Sequence, residues 1–276
     1  MTDKNADPES IIRDYPRLGP DDSFSFRCYQ SLECFTNCCN DISIVLTPYD
    51  ILRMKHALEM DSSSFLDTYT ISPFTKNQKI PVVLIKMDKE TKNCPFVSPE
   101  KGCSIYENRP WACRMYPLGM AEPDNPTPED RRFYFLLKED FCLGHNEDRS
   151  LTVSEWIAEQ GIEEYEAYGA PFKELMLHPF WNGEETLQPE QIDMYHMACY
   201  DLDRFRRFVF ETRFLQLFDV DEGRIEAMRR KDLELSDFAI QWLRFSLFKE
   251  KSMKINRTVM ESKLATDAET GQSNDG

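Results

Sequence analysis

Cys94-Pro95-Phe96, Gly102-Cys103-Ser104-Ile105-Tyr106-Glu107-Asn108-Arg109-Pro110 and Trp111-Ala112-Cys113-Arg114-Met115-Tyr116-Pro117 follow one another closely in the chain. In these segments three cysteines stand among two arginines and three prolines. Upstream runs Cys28-x5-Cys34-x3-Cys38-Cys39, and downstream Cys142 sits in Phe141-Cys142-Leu143-Gly144-His145. Eight of the nine cysteines therefore fall within residues 28–142, in local Pro, Gly and Arg contexts. Clusters of this kind are metal-ligand or catalytic patterns when the compartment is reducing. We read all eight thiols, Cys28, Cys34, Cys38, Cys39, Cys94, Cys103, Cys113 and Cys142, as converging on metal.

The compartment is read from the ends and the composition. Met1-Thr2-Asp3-Lys4-Asn5-Ala6-Asp7 has neither a basic n-region nor an apolar h-region, so the expectation is a cytoplasmic protein without a secretory signal. No apolar run is long enough for a membrane span. The formal net charge is −16, which repels phosphate backbones and anionic lipid surfaces and argues against nucleic-acid and membrane partners. At 276 residues, 41% hydrophobic and with nineteen Phe, the chain can bury a proper core.

Thiolates are soft donors that suit zinc, copper(I) and iron–sulfur clusters. Zinc takes four of them in a tetrahedron at about 2.3 Å. A four-iron cluster takes four thiolates spread over a larger cube. Eight cysteines supply two four-ligand sites, or one site plus structural thiols, and spacing does not partition them. Adjacent Cys38 and Cys39 project in different directions, so they can serve two sites, or one can bind while the other packs. Arg109 and Arg114 flank Cys113 and are expected to donate hydrogen bonds to sulfur, offsetting the negative charge of a thiolate site. His145 is a candidate nitrogen ligand, weighed against a supporting or solvated role. Cys199 falls on the apolar stripe of a helix and reads as a packed core residue.

Around these groups the pattern alternates short strands and loops. Ile42, Ile44 and Leu46 alternate as a strand, and Thr47-Pro48-Tyr49-Asp50 starts a helix with Thr47 as cap, running to about Met60. Residues 62–69 make a second helix; residues 80–87 and 131–137 read as strands, and 119–130 as a surface loop. From about residue 151 the character is helical, with Thr152 or Ser154 as a cap, an interruption near Gly169-Ala170-Pro171, and one long helix over 189–218. Two further helices are expected at 224–230 and 237–248. The fold class is α+β: a small metal-stapled cysteine-cluster domain of short strands and loops, plus a C-terminal helical layer. The expected organisation is a flexible arm at 1–23, the cysteine-cluster domain at 24–150, a helical region at 151–260 packed on it, and a disordered tail at 261–276.

Cys34-x3-Cys38-Cys39, Cys94-Pro95-Phe96, Cys103-Ser104-Ile105-Tyr106-Glu107-x-Arg109-Pro110 and Cys113-Arg114-x-Tyr116-Pro117 together resemble the YkgJ-type cysteine-cluster family of zinc- or iron-chelating domains. The resemblance covers about residues 28–145 and implies a small α+β domain whose ligands come from loops. The family's first group is often Cys-x2-Cys-x2-Cys-Cys; here it is wider. One branch, the flagellin lysine methylases, is linked by resemblance to an iron–sulfur cluster.

Three readings of function follow. The first is a four-iron cluster protein with a redox, sensing or protein-modification role. The second is a zinc-stapled structural or interaction module without catalysis. The third is an enzyme resembling a protein lysine methylase, in which case a protein is the partner or substrate. No Gly-x-Gly-x-x-Gly or phosphate-cradling loop is present, and Asp41 stands where a radical-type Cys-x3-Cys-x2-Cys would need cysteine. Whether the chain is catalytic stays open at this point.

Overall fold

A computed structural model of the chain describes residues 15–73, 79–123, 127, 131–183 and 186–256. Most of the expected arm and all of the expected tail at 261–276 lie outside these residues. The described part of the arm is held, because Leu18 forms a bridge with Tyr134.

In chain order the first elements are β1 (Ser23–Ser25), β2 (Val45–Leu46), α1 (Pro48–Ala57), α2 (Ser62–Tyr69), β3 (Thr70–Ile71) and β4 (Val83–Ile85). Next come β5 (Val97–Ser98), β6 (Gly102–Cys103), α3 (Trp111–Met115), β7 (Leu118–Ala121), β8 (Phe133–Leu136) and β9 (Ser150–Thr152). The rest is helical: α4 (Val153–Glu159), α5 (Ile162–Met176), α6 (Pro189–Cys199), α7 (Leu202–Glu211), α8 (Glu222–Arg230) and α9 (Asp232–Phe248). The chain is thus α+β, with its strands in small antiparallel sheets: β1 with β9, β2-β4-β3, β5 with β6, and β7 with β8.

Two compact units divide it. Among the described residues, one takes in 15–60, Thr68–Pro73 and those of 82–170, and holds all eight clustered cysteines. Its core gathers Phe24, Phe26, Met115, Leu118, Tyr134, Leu151, Val153, Trp156 and Ile162. The indole of Trp156 donates to the Met115 carbonyl at 3.2 Å, so α4 packs with the cysteine-bearing elements although it lies beyond residue 150. The other takes in, of the described residues, Asp61–Asp67, 79–81 and those of 171–256. Its centre is aromatic, with Phe205, Phe214, Phe238 and Trp242 in contact and all buried.

Several elements differ from the sequence reading for local reasons. The expected loop after residue 118 begins as strand β7, because Leu118 to Ala121 pair in register with Leu136 to Phe133. The expected long helix over 189–218 is two helices. Asp201 breaks it by capping α7, accepting from Arg204 N at 3.3 Å and from the hydroxyls of Ser62 and Ser63. No interruption occurs at Pro171, which lies inside α5. A proline removes one helical hydrogen bond, and the burial of Ile162 and Leu175 near the two ends of α5 outweighs that loss. The helix expected at 237–248 starts earlier, at Asp232.

Candidate metal centre

The first cysteine group is wound by consecutive tight turns. Leu32 N donates to the Tyr29 carbonyl, Phe35 N to Leu32, Asn37 N to Cys34 and Cys39 N to Thr36, all between 2.9 and 3.1 Å. Thr36 sits at φ 72 to make the last of these. These turns absorb the extra residues between Cys28 and Cys38, so a spacing wider than the motif still winds into a compact segment. Pairing of β1 with β9 brings the segment after Ser25 alongside the segment before Ser150. Arg27 N then donates to the Gly144 carbonyl at 3.0 Å, and Leu143 N donates to Cys34 Sγ at 3.2 Å. A Cβ at Gly144 would come within 2.9 Å of the Arg27 carbonyl and 2.8 Å of Phe26, so glycine permits this approach. Cys28, Cys34, Cys38 and Cys142 are thereby collected on one side.

The second collection starts at the next residue. Cys94 N donates to the Cys39 carbonyl at 2.9 Å, beside a bridge between Asn40 and Asn93. Val97 N turns back to the Cys94 carbonyl, and Val97 is paired with Cys103 across the β5–β6 hairpin. Gly102, at φ +75, makes the hairpin return; a Cβ there would lie 2.8 Å from the Phe35 ring. Cys113 is supplied by the short helix α3. The Cys38 and Cys39 sulfurs are 4.0 Å apart. Among the described residues, no three Cys, His, Asp or Glu side chains are drawn tightly enough together to hold an ion. The same thiols are soft donors, and closing them onto a metal is the step in which ligand binding and folding are coupled.

Burial dominates the electrostatics of the thiols. It pushes Cys28 up to about 11, assisted by Cys38, Cys34 and Cys142 and opposed by Arg109. Cys94 rises to about 11 from burial and then Cys103, and Cys113 to about 12 from burial, then Cys94, Cys103 and Asp50. Cys38 and Cys39 form a coupled pair in which their mutual hydrogen bond lowers Cys38 and raises Cys39. Proton loss from these thiols accompanies metal uptake, because the thiolate is the ligand.

The two arginines act differently from the sequence expectation. Both are buried, but their donors go to oxygen. Arg109 donates to the Tyr106 carbonyl at 2.7 Å and to the Gln160 side chain, and lies 3.6 Å over the Tyr106 ring. Arg114 donates to the carbonyls of Arg109, Glu107 and Gln160 and stacks on Tyr165. Arg109 still lowers the thiols of Cys28, Cys103 and Cys113 through space. Arg114 instead ties Gln160 in the turn after α4 to the loop that precedes Cys113.

Gln160, and the parts that Asp50 and Tyr116 play at the site, escaped the sequence reading. Fully buried Asp50 completes a capping box with Thr47 and also accepts from Trp111 N at 2.8 Å, fixing the start of α3 two residues before Cys113. Gln160 takes both arginines. Tyr116 has a buried hydroxyl without a well-formed hydrogen bond; burial, then the Cys142 sulfur beside it, raise its pKa. Only Asp50 carried a signal, the Thr-Pro-x-Asp helix start. His145 uses Nε2 on the Leu137 carbonyl at 3.1 Å, while its Nδ1 is buried without a partner and its ring packs on Phe26. Cys199 is buried in α6, within the other unit.

A thiol-rich α+β unit of this kind is a metal-chelating module. A family model described as CxxCxxCC, a putative zinc- or iron-chelating domain, matches residues 27–143. The resemblance read from the sequence holds at this level. The match spans rather less than half of the 276 residues. No curated protein and no solved structure gives a significant match. No helix of the described residues is long and apolar enough to cross a membrane.

Proposed function

We propose that residues 27–143 hold iron–sulfur, bound through Cys28, Cys34, Cys38, Cys39, Cys94, Cys103, Cys113 and Cys142. The observation that carries the reading is the donor set: eight thiols in one unit, with Cys142 packed on the core of Phe26, Tyr116 and Trp156. A cluster bound there supplies one-electron chemistry at a potential set by burial and by hydrogen bonds to sulfur. The chain's own contribution is to position the thiols by tight turns and to offset their charge with Arg109. The Tyr116 hydroxyl lies beside Cys142. The role is redox, sensing or protein modification in the cytoplasm, with a protein as partner or substrate.

Full-length protein purified without oxygen, and reconstituted with iron and sulfide, tests this. The expected result is brown protein with near-equal iron and acid-labile sulfide, absorbing broadly near about 400 nm and bleaching with dithionite. Stoichiometric zinc without labile sulfide after reconstitution would replace the redox reading with a zinc-stapled structural module.

A further inference from the structure

We infer that the eight thiols form two separate four-thiolate metal sites, Cys28/Cys34/Cys38/Cys142 and Cys39/Cys94/Cys103/Cys113, divided at the Cys38–Cys39 peptide. The inference rests on the metal-binding reading and deepens it. Backbone geometry carries it. Cys28 and Cys34 are tied to the segment of Cys142, through Arg27 N to the Gly144 carbonyl and Leu143 N to Cys34 Sγ. Cys38 comes from the same turn, in which Asn37 N bonds back to the Cys34 carbonyl. Cys39 belongs elsewhere: its carbonyl accepts from Cys94 N at 2.9 Å, and Cys94 turns into the strand whose Val97 is paired with Cys103.

Cys113 follows Cys103 in the same stretch, through the tight turn at Tyr106–Asn108 and into α3. Across the division the Cys38 and Cys39 sulfurs lie 4.0 Å apart. Successive residues of a turn project in different directions, so each can complete a different centre. The chemical class that each site takes is a metal ion or cluster asking for four thiolates, which is the zinc or four-iron requirement. Cys38-Cys39 is then a covalent link that holds two centres in immediate proximity.

Reduced, metal-free full-length protein is titrated with zinc alone and counted by native mass spectrometry. Wild type is expected to hold two ions per chain. Cys28→Ser and Cys142→Ser should each keep one, Cys94→Ser and Cys103→Ser should each keep one, and Cys199→Ser should keep two. The double variant Cys142→Ser/Cys94→Ser should keep none. Should a variant fail to fold, alkylation mapping of partly loaded wild type gives the same information: Cys28, Cys34, Cys38 and Cys142 become protected together, as do Cys39, Cys94, Cys103 and Cys113. One ion in wild type, loss of both ions in a single variant, or joint protection of Cys28 with Cys94 would overturn the division while leaving metal binding intact. Zero metal in wild type, with zinc and after cluster reconstitution, would instead remove the metal-binding reading itself.

Discussion

Asp50 is the side chain through which the packing of α1 reaches the metal centre, and replacing it has a magnitude that can be worked out. Its carboxylate accepts from Thr47 N, Thr47 Oγ1 and Trp111 N, each at 2.8 Å, while fully buried. In Asp50→Asn the shape is kept and Trp111 N retains an oxygen, but an amide N–H₂ faces the Thr47 N–H. One buried donor loses its acceptor, which costs about 1–3 kcal/mol. In Asp50→Ala all three donors lose it and the capping box disappears, which costs about 1 kcal/mol on its own. Burial opposes the charged form of Asp50, so its removal returns part of that sum, and we expect a net loss of about 2–4 kcal/mol for alanine. The assay is urea unfolding of metal-loaded protein, with zinc affinity measured in parallel. Because Trp111 begins the helix of Cys113, the Cys39/Cys94/Cys103/Cys113 site should weaken about tenfold for each 1.4 kcal/mol of lost coupling. Asp221→Ala, which removes a cap on α8 in the other unit, serves as control and should leave zinc affinity unchanged. Refutation is simple: Asp50→Asn unfolding within about 0.5 kcal/mol of wild type, the range of ordinary surface changes, with unaltered zinc affinity.

Three further outcomes are expected. Gly144→Ala forces a Cβ to 2.9 Å from the Arg27 carbonyl, so it should destabilise by about 1–3 kcal/mol and weaken the Cys28/Cys142 site more than the other, as judged by zinc titration. Tyr116→Phe should keep full metal content but lower the reduction potential of a bound cluster, since the hydroxyl beside Cys142 stabilises the more negative reduced state; an unchanged voltammogram would exclude that role. Metal-free protein should lose stability as pH rises from about 9 to about 12. The folded state holds the protons of Cys28, Cys94 and Cys113 up to about 11, 11 and 12 against the ordinary 9.0, so their contribution is complete below 9 and is lost through the folded values. A denaturation midpoint that stays flat across that range in reducing buffer would contradict it.

What could be read from sequence was what local chemistry dictates. Thr47 and Thr152 were legible as helix caps because a hydroxyl three residues before an acid satisfies the same backbone donors wherever it occurs, and both form capping boxes. The cysteine group was legible because thiols in Pro- and Gly-rich turns have few other uses. The break at Asp201 was not, because its cap is secured by Ser62 and Ser63, far away in sequence. Nor was the destination of Arg109 and Arg114: charge adjacent to Cys113 suggested sulfur, but Gln160 and nearby carbonyls supplied better acceptors once α4 packed under Met115. The division of the cysteines depends on the β1–β9 pairing and the Cys39–Cys94 hydrogen bond, both long-range, so spacing alone had no access to it.

X-ray absorption at the edge of the metal bound by full-length wild-type protein tests the central claim most directly. If the eight thiols are the ligands, the first shell is four sulfurs at about 2.3 Å with no nitrogen or oxygen, for zinc or for iron. A shell with nitrogen from His145, or with fewer than four sulfurs per metal, would contradict it.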